Sequence, residues 1–165
     1  MIDWYPWIVL AHVIGAFGFV LAHGVSAFVA FRIRADRRPE QVLAMMDLSS
    51  AGLTVMYPSL ALLLVTGVVA GFAREWWGQL WIWAAIALLV AIGTAMYVIG
   101  TRYYIEVRHA VGKASPQDKK DAPAPIPLSA DELAVLLDSR RPEVLAAIGG
   151  IGLVLILWLM VVKPG

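Results

Sequence analysis

Three histidines and no cysteine leave this 165-residue chain few side chains able to ligate a metal or carry a proton near neutral pH. Two of them, His12 and His23, lie in one uncharged apolar run. At about 100° per residue, their separation brings both imidazoles within about 20° of a common helix face and about 16 Å apart along the axis. Imidazole is costly in hydrocarbon unless partnered, so both rings are expected to face the protein interior. There they could donate hydrogen bonds to a neighbouring helix, with Thr66 a partner at the depth of His12. They could also ligate haem iron, or copper together with thioether sulfur. The residues alone leave these chemistries open.

The surroundings of the histidines suit a guest molecule or a neighbouring helix equally. Ala11, Gly15, Gly18 and Ala22 form a small-residue stripe beside them, and Phe19 lies between them. Counting from the ends of the apolar runs puts Met56, Tyr57, Met96 and Tyr97 at a depth similar to that of His23. A His/Met pair can hold haem iron, and His with thioether suits Cu(I), although Met and Tyr at helical spacing also read as core filler. The candidate cofactor set is therefore His12, His23, Gly15, Phe19, Met56 and Met96, with His12 and His23 as metal ligands. Haem b is the expected cofactor and copper the alternative. Two membrane imidazoles are too few for a paired-histidine diheme site. One haem with His and Met, a five-coordinate haem, or a haem shared between chains is left. His109 falls beyond the third apolar run and reads as a solvated residue.

Other chemistries find no residues. The sequence holds no phosphate-binding loop, Ser/His/Asp set or carboxylate pair, and Gly149-Gly150-Ile151-Gly152 sits inside an apolar run rather than at a phosphate. The apolar runs carry no Asp, Glu, Lys or Arg, which speaks against an ion-driven carrier. A net charge of +1 without a basic stripe offers nothing to nucleic acid.

The elements that must position these residues are membrane helices. Hydrophobic residues make up 61% of the chain and charged residues 15%, far from the balance of a soluble domain. The long uncharged runs are Trp7–Phe31, Leu53–Phe72, Leu80–Gly100 and Val144–Val162, each near the roughly 20 residues that span a bilayer. The expected fold is all-α: a four-helix transmembrane bundle forming one membrane domain over residues 1–165. The head Met1-Ile2-Asp3 carries no positive side chain and the first run exceeds a signal-peptide core, so it reads as a retained helix. Arg32, Arg34, Arg37 and Arg38 follow the first run, and Arg102 through Arg141 follow the third, so the positive-inside rule places both connections in the cytoplasm and both termini outside. Trp4, Trp7, Trp76, Trp77, Trp81 and Trp158 gather at the outer interface, and Tyr103 and Tyr104 mark the inner one.

Of the two cytoplasmic connections, residues 39–50 have helical spacing behind Pro39, and either continue into the second span or lie at the surface. Residues 113–127 read as a flexible linker. Ser129-Ala130-Asp131-Glu132 is a capping box opening a short interfacial helix over 129–138. Gly67-Val68-Val69-Ala70-Gly71 is a full GxxxG, expected in bundle packing or at a dimer face. Pro58 is expected to kink the second span.

The first helix, from His12 through Gly15, Phe19 and His23 to Gly24, and the ending from Trp158 to Pro164, resemble an uncharacterised family of small bacterial four-helix membrane proteins, a domain of unknown function. The resemblance covers most of the chain and implies the architecture and a place in the bacterial cytoplasmic membrane. More distantly, a histidine early in helix one followed by glycine and aromatics is similar to the haem-binding membrane protoporphyrinogen oxidases and to the CopD copper-resistance family. Only His12 and His23 carry over, and the basic residues of the oxidase site have no match. The expected function is a small redox protein of b-type cytochrome character, passing electrons between a quinone-like carrier and a partner. The alternatives are an accessory or anchor subunit and a copper-handling protein. The expected partners are the lipid bilayer, a quinone, and a second copy or a larger membrane complex.

Overall fold

A computed structural model describes residues 3–35 and 37–164. Of the head segment, Met1 and Ile2 lie outside the described residues, as do Asp36 and Gly165. The described chain is helical without strands: α1 (Tyr5–Ala35), α2 (Pro39–Ala73), α3 (Leu80–Ala95), α4 (Arg102–Ala110), α5 (Ala130–Leu137) and α6 (Arg141–Val162). A π-helical turn over Met96–Thr101 joins α3 to α4, so that Leu80–Ala110 forms one long span. Among the described residues four helical stretches are long and apolar enough to cross a membrane, with mean hydropathy from 2.0 to 2.7. In lipid, a helix is how such segments satisfy every backbone N–H and C=O internally.

Residues 39–50 belong to α2, which runs unbroken from Pro39 in its first turn through Pro58 to Ala73. Proline suits the first turn because it lacks the N–H that would otherwise be unpaired there. The short 3-10 turn Trp76–Gly78 follows Glu75, whose φ of 55° turns the chain back. Helix α4 ends on Gly112 at φ 75°, with its N–H donating to His109 O and the Lys113 N–H donating to Arg108 O. That pair of bonds needs a left-handed residue, and glycine adopts it without a Cβ clash. Helix α5 carries the Ser129–Glu132 capping box in both directions.

The helices associate in two pairs. Helix α1 packs along α2, and α3 packs along α6. The first pair is built on backbone proximity: a Cβ on Gly15 would lie 2.8 Å from Leu63 N and 3.0 Å from Ser59 O. The second is built on large side chains entering glycine gaps, with Ile92 against Gly152 and Met96 against Gly149. The GxxxG of α2 is spent inside the chain, since Gly67 faces the His12 ring and Gly71 faces Trp77.

The pairs join at their ends. At the arginine-rich end, Val29, Ala30, Ile33, Val42, Met46, Tyr103, Val107, Ala110, Leu133 and Leu137 form one buried core. Ion pairs lace its rim: Arg34 to Glu143, Arg37 to Asp138 at 2.6 Å, Arg108 to Asp47 at 2.5 Å and Arg141 to Glu106. At the tryptophan-rich end, Trp81, Ile82, Ala85 and Leu159 are buried beneath Trp76 and Trp77. Lys163 Nζ sits 4.1 Å from the Trp76 ring centre, and Arg74 lies 4.0 Å from that of Tyr5. Between the ends little is buried: only 6–11% of each membrane-depth window is enclosed by protein.

Tyr103 and Tyr104 lie at the arginine-rich end with their rings turned into the protein. Tyr103 is fully buried in the core, and the Tyr104 hydroxyl donates to Ser26 O at 2.6 Å. The π-helical turn just before them shifts the helical phase, so that these rings turn toward α1 and α2.

Candidate functional site

Helix α1 presents three faces. Gly15 and Ala22 are buried against α2. Val13, Phe17, Val20 and Leu21 are exposed at membrane depth. Between these faces runs a half-buried flank of Ile8, His12, Ala16, Phe19 and His23, at helical spacing. The flank is half-buried because α2 covers the neighbouring stripe, while α6 touches α1 only lightly. Both histidines stand on it, at different depths.

His12 is locked to α2. Its Nδ1 lies 2.9 Å from Leu63 O and 3.2 Å from Thr66 Oγ1. A carbonyl only accepts, so Nδ1 carries the proton. The Thr66 hydroxyl donates its own hydrogen to Leu62 O at 2.6 Å, which leaves its oxygen free to accept from Nδ1 as well. The neutral tautomer then places a lone pair on Nε2, for which no hydrogen-bond donor stands among the described residues. The first glycine of the GxxxG makes the approach possible, because a Cβ on Gly67 would lie 3.1 Å from His12 Cε1.

His23 is different. Its ring stacks on Phe19, with centroids 5.7 Å apart and planes 9° from parallel. Neither nitrogen has a hydrogen-bond partner among the described residues. One turn further on, Ser26 Oγ and Ser49 Oγ lie 2.8 Å apart, and Tyr104 bonds the Ser26 carbonyl. This hydroxyl cluster joins α1, α2 and the third span. Sequence reasoning missed it, although Ser26 lies three residues from His23 on the same side of the helix. The missing information was which residue of α2 stands opposite.

The remaining candidates are distributed elsewhere. Gly15 and Gly18 are covered by Ser59 and Leu63 of α2, so helix packing fills the small-residue stripe and leaves no room there for a macrocycle. Met96 starts the π-helical turn and its Cε abuts Gly149, which places it in the α3–α6 pair. The antiparallel register, set by Gly15 with Leu63, Ala22 with Gly52 and Ser26 with Ser49, puts Met56 nearer the level of Phe19 than that of His23. His109 is held by Asp118, with Nε2 2.9 Å from Oδ2. The Ser115 N–H also donates to that carboxylate at 2.6 Å, and these two bonds hold the Asp118 carboxyl below the usual carboxylate range, the backbone bond contributing most. His109 is thus part of a clasp that folds the start of the 113–127 segment onto α4. The clasp borders a shallow pocket of about 300 Å³ lined by Glu106, His109, Ala110, Ile126, Leu128 and Leu136.

Long apolar helices, hydroxyl groups bonded between helices and glycines at the contacts define a polytopic helical membrane protein. Residues 6–164 match the family model described as a predicted integral membrane protein, DUF2269, and the chain belongs to that family. Comparison with curated proteins and with solved structures returns no match. The family match carries the membrane class and no activity, and it lends nothing to the likeness to haem-binding oxidases or CopD proteins.

Proposed function

We propose that the protein is a small redox protein of the membrane that holds haem b, with His12 Nε2 as an iron ligand. The observation that supports this reading is the Nδ1 bond to the Leu63 carbonyl. Metal-binding histidines characteristically donate their second ring N–H to a carbonyl or carboxylate, which fixes the tautomer and raises the basicity of the ligating nitrogen. Leu63 and Thr66 do both for His12. Haem also fits the donor set better than a bare metal ion. A porphyrin brings four nitrogens of its own, so the chain need supply little more than His12, whereas copper needs several protein ligands, and Met96 lies away from His12 in the α3–α6 pair.

When bound, haem would supply a one-electron couple near the tryptophan-rich boundary of the bilayer, for exchange between a lipid-soluble carrier and a partner. Everything else is done by the chain. His12 orients one nitrogen, Gly67 lets the ring approach α2, and Ala16 and Phe19 keep the flank apolar and dry. The axial rise between His12 and His23, about 16 Å, keeps them from sharing one iron.

The test is the absorbance spectrum of detergent-purified protein expressed with added haem, oxidised and then reduced. A Soret band retained in His23→Ala and lost in His12→Ala is expected, with both variants eluting at the native size. No Soret band in the wild type, or an unchanged one in His12→Ala, overturns the reading.

A second reading, an anchoring subunit of a larger complex, is favoured by one observation. Ala146 and Gly150 form an exposed small-residue pair on α6, with nothing within 4 Å of a Cβ at Gly150. A Gly150→Cys variant carries the chain's sole cysteine, and cross-linking it in native membranes to a distinct protein would support this alternative.

A further inference from the structure

We propose that His23 and Phe19 form a second binding site, for a flat, lipid-soluble carbonyl compound of the quinone class. Hydrogen bonding along this stretch of α1 is uneven. Most polar groups that α1 turns toward its neighbours are paired: His12 with Leu63 and Thr66, Ser26 with Ser49, and the Ser26 carbonyl with the Tyr104 hydroxyl. His23 has a donor and an acceptor nitrogen with no partner among the described residues. A neutral imbalance of this kind is expensive in hydrocarbon, where acyl chains offer neither.

Depth narrows the partner. The Ala22–Gly52 contact and the Ser26–Ser49 bond bracket His23 within the membrane segment. Arg32 is nine residues along the same helix, so His23 lies about 13 Å from the arginine-rich boundary. In a hydrocarbon layer about 30 Å thick this is near the middle. Phospholipid ester carbonyls lie at the boundary, whereas a quinone ring moves through the interior with two carbonyl oxygens that accept hydrogen bonds. The shape agrees. Phe19 and His23 are stacked nearly parallel, which offers a flat aromatic wall. On the adjoining side, a Cβ at Gly24 would meet nothing within 4 Å. In this assignment one imidazole N–H donates to a quinone carbonyl while the ligand ring lies along the aromatic wall. The site is independent of haem at His12, and either can fail without the other.

The experiment uses the intact protein, labelled with 15N-histidine, in phosphatidylcholine nanodiscs titrated with decylubiquinone. The expected result is a saturable shift of one imidazole signal, absent from His23→Phe and retained in His12→Ala. Direct binding should weaken about 3- to 10-fold in His23→Phe, which keeps the stack and loses one hydrogen bond. His23→Gln, with a donor and an acceptor, should bind more tightly than His23→Phe. The proposal is overturned if wild-type discs take up no more quinone than empty discs, or if His23→Phe binds equally well. It is also overturned if the His23 signal is already hydrogen-bonded in quinone-free discs and does not move on titration, which would assign the partner to phospholipid. The wild-type titration reads the contact directly, so a variant that fails to fold does not remove the test.

Discussion

The two helix pairs reach the same end, close packing in lipid, by different means. In the α1–α2 pair, backbone meets backbone: Gly15 lies under Leu63 N and Ser59 O, and polar side chains bond across the contact at His12 and at Ser26. In the α3–α6 pair, Ile92 and Met96 reach across to Gly152 and Gly149, so these contacts are made by apolar side chains alone. Lipid gives no hydrophobic reward for hiding one apolar side chain behind another, so both pairs depend on shape. They differ in what can yield. A peptide unit inside a helix cannot move without disturbing its ladder, whereas a thioether end can rotate away. The first pair is therefore the rigid half of the molecule, and it is the half that holds both membrane histidines.

The largest effect should follow from Gly15→Ala, whose new methyl meets only backbone. A loss of about 1–3 kcal/mol is expected, in the range of overpacking, read as an earlier unfolding midpoint when SDS is titrated into mild-detergent micelles. Tyr104→Phe should come next. Removing the bond to the Ser26 carbonyl should cost about 1 kcal/mol and loosen the third span from the first pair, visible as faster amide exchange around Ser26. Gly149→Ala should cost less, under about 1 kcal/mol, because the nearest atom is the movable Met96 Cε. If Gly149→Ala proves as damaging as Gly15→Ala, the contrast between a rigid and a yielding pair is wrong.

The smallest effect lies outside the membrane. Because its folded pKa is depressed, Asp118 contributes stability that is fully present above its unfolded value and is lost as pH falls through the folded one. Amide protection of Ser115 should therefore fade only below about pH 4, without change in the membrane helices. Protection that instead vanished with Asp118→Asn in every helix would tie the clasp to the bundle more tightly than these contacts allow.

Much of this fold is legible in the sequence. The four apolar runs announce four membrane helices, because no charge interrupts them and hydrocarbon admits no other backbone solution for such segments. The capping box at Ser129 and Glu132 is equally plain, since its bonds run between residues three apart. The candidate site is legible only in part. Local spacing places His12 and His23 on one face of one helix, but pairing partners depend on the register of α1 against α2. A shift of one residue there would exchange Leu63 for another carbonyl and part Ser26 from Ser49. Tyr103 and Tyr104 stand at the arginine-rich end, but that their rings enter the core and bond Ser26 O depends on contacts with α1 and α2 that the sequence does not show.

The amino-acid sequence by itself determined that the chain is a helical membrane protein with both of its membrane histidines on the first helix. These properties follow from composition and from contacts within a few residues. Only the tertiary structure decided that the glycine stripe is filled by α2, that His12 is held by a backbone carbonyl, and that His23 stands without a partner among the described residues. Those outcomes depend on how helices far apart in sequence align, and a few ångströms of axial shift suffice to change which polar groups meet.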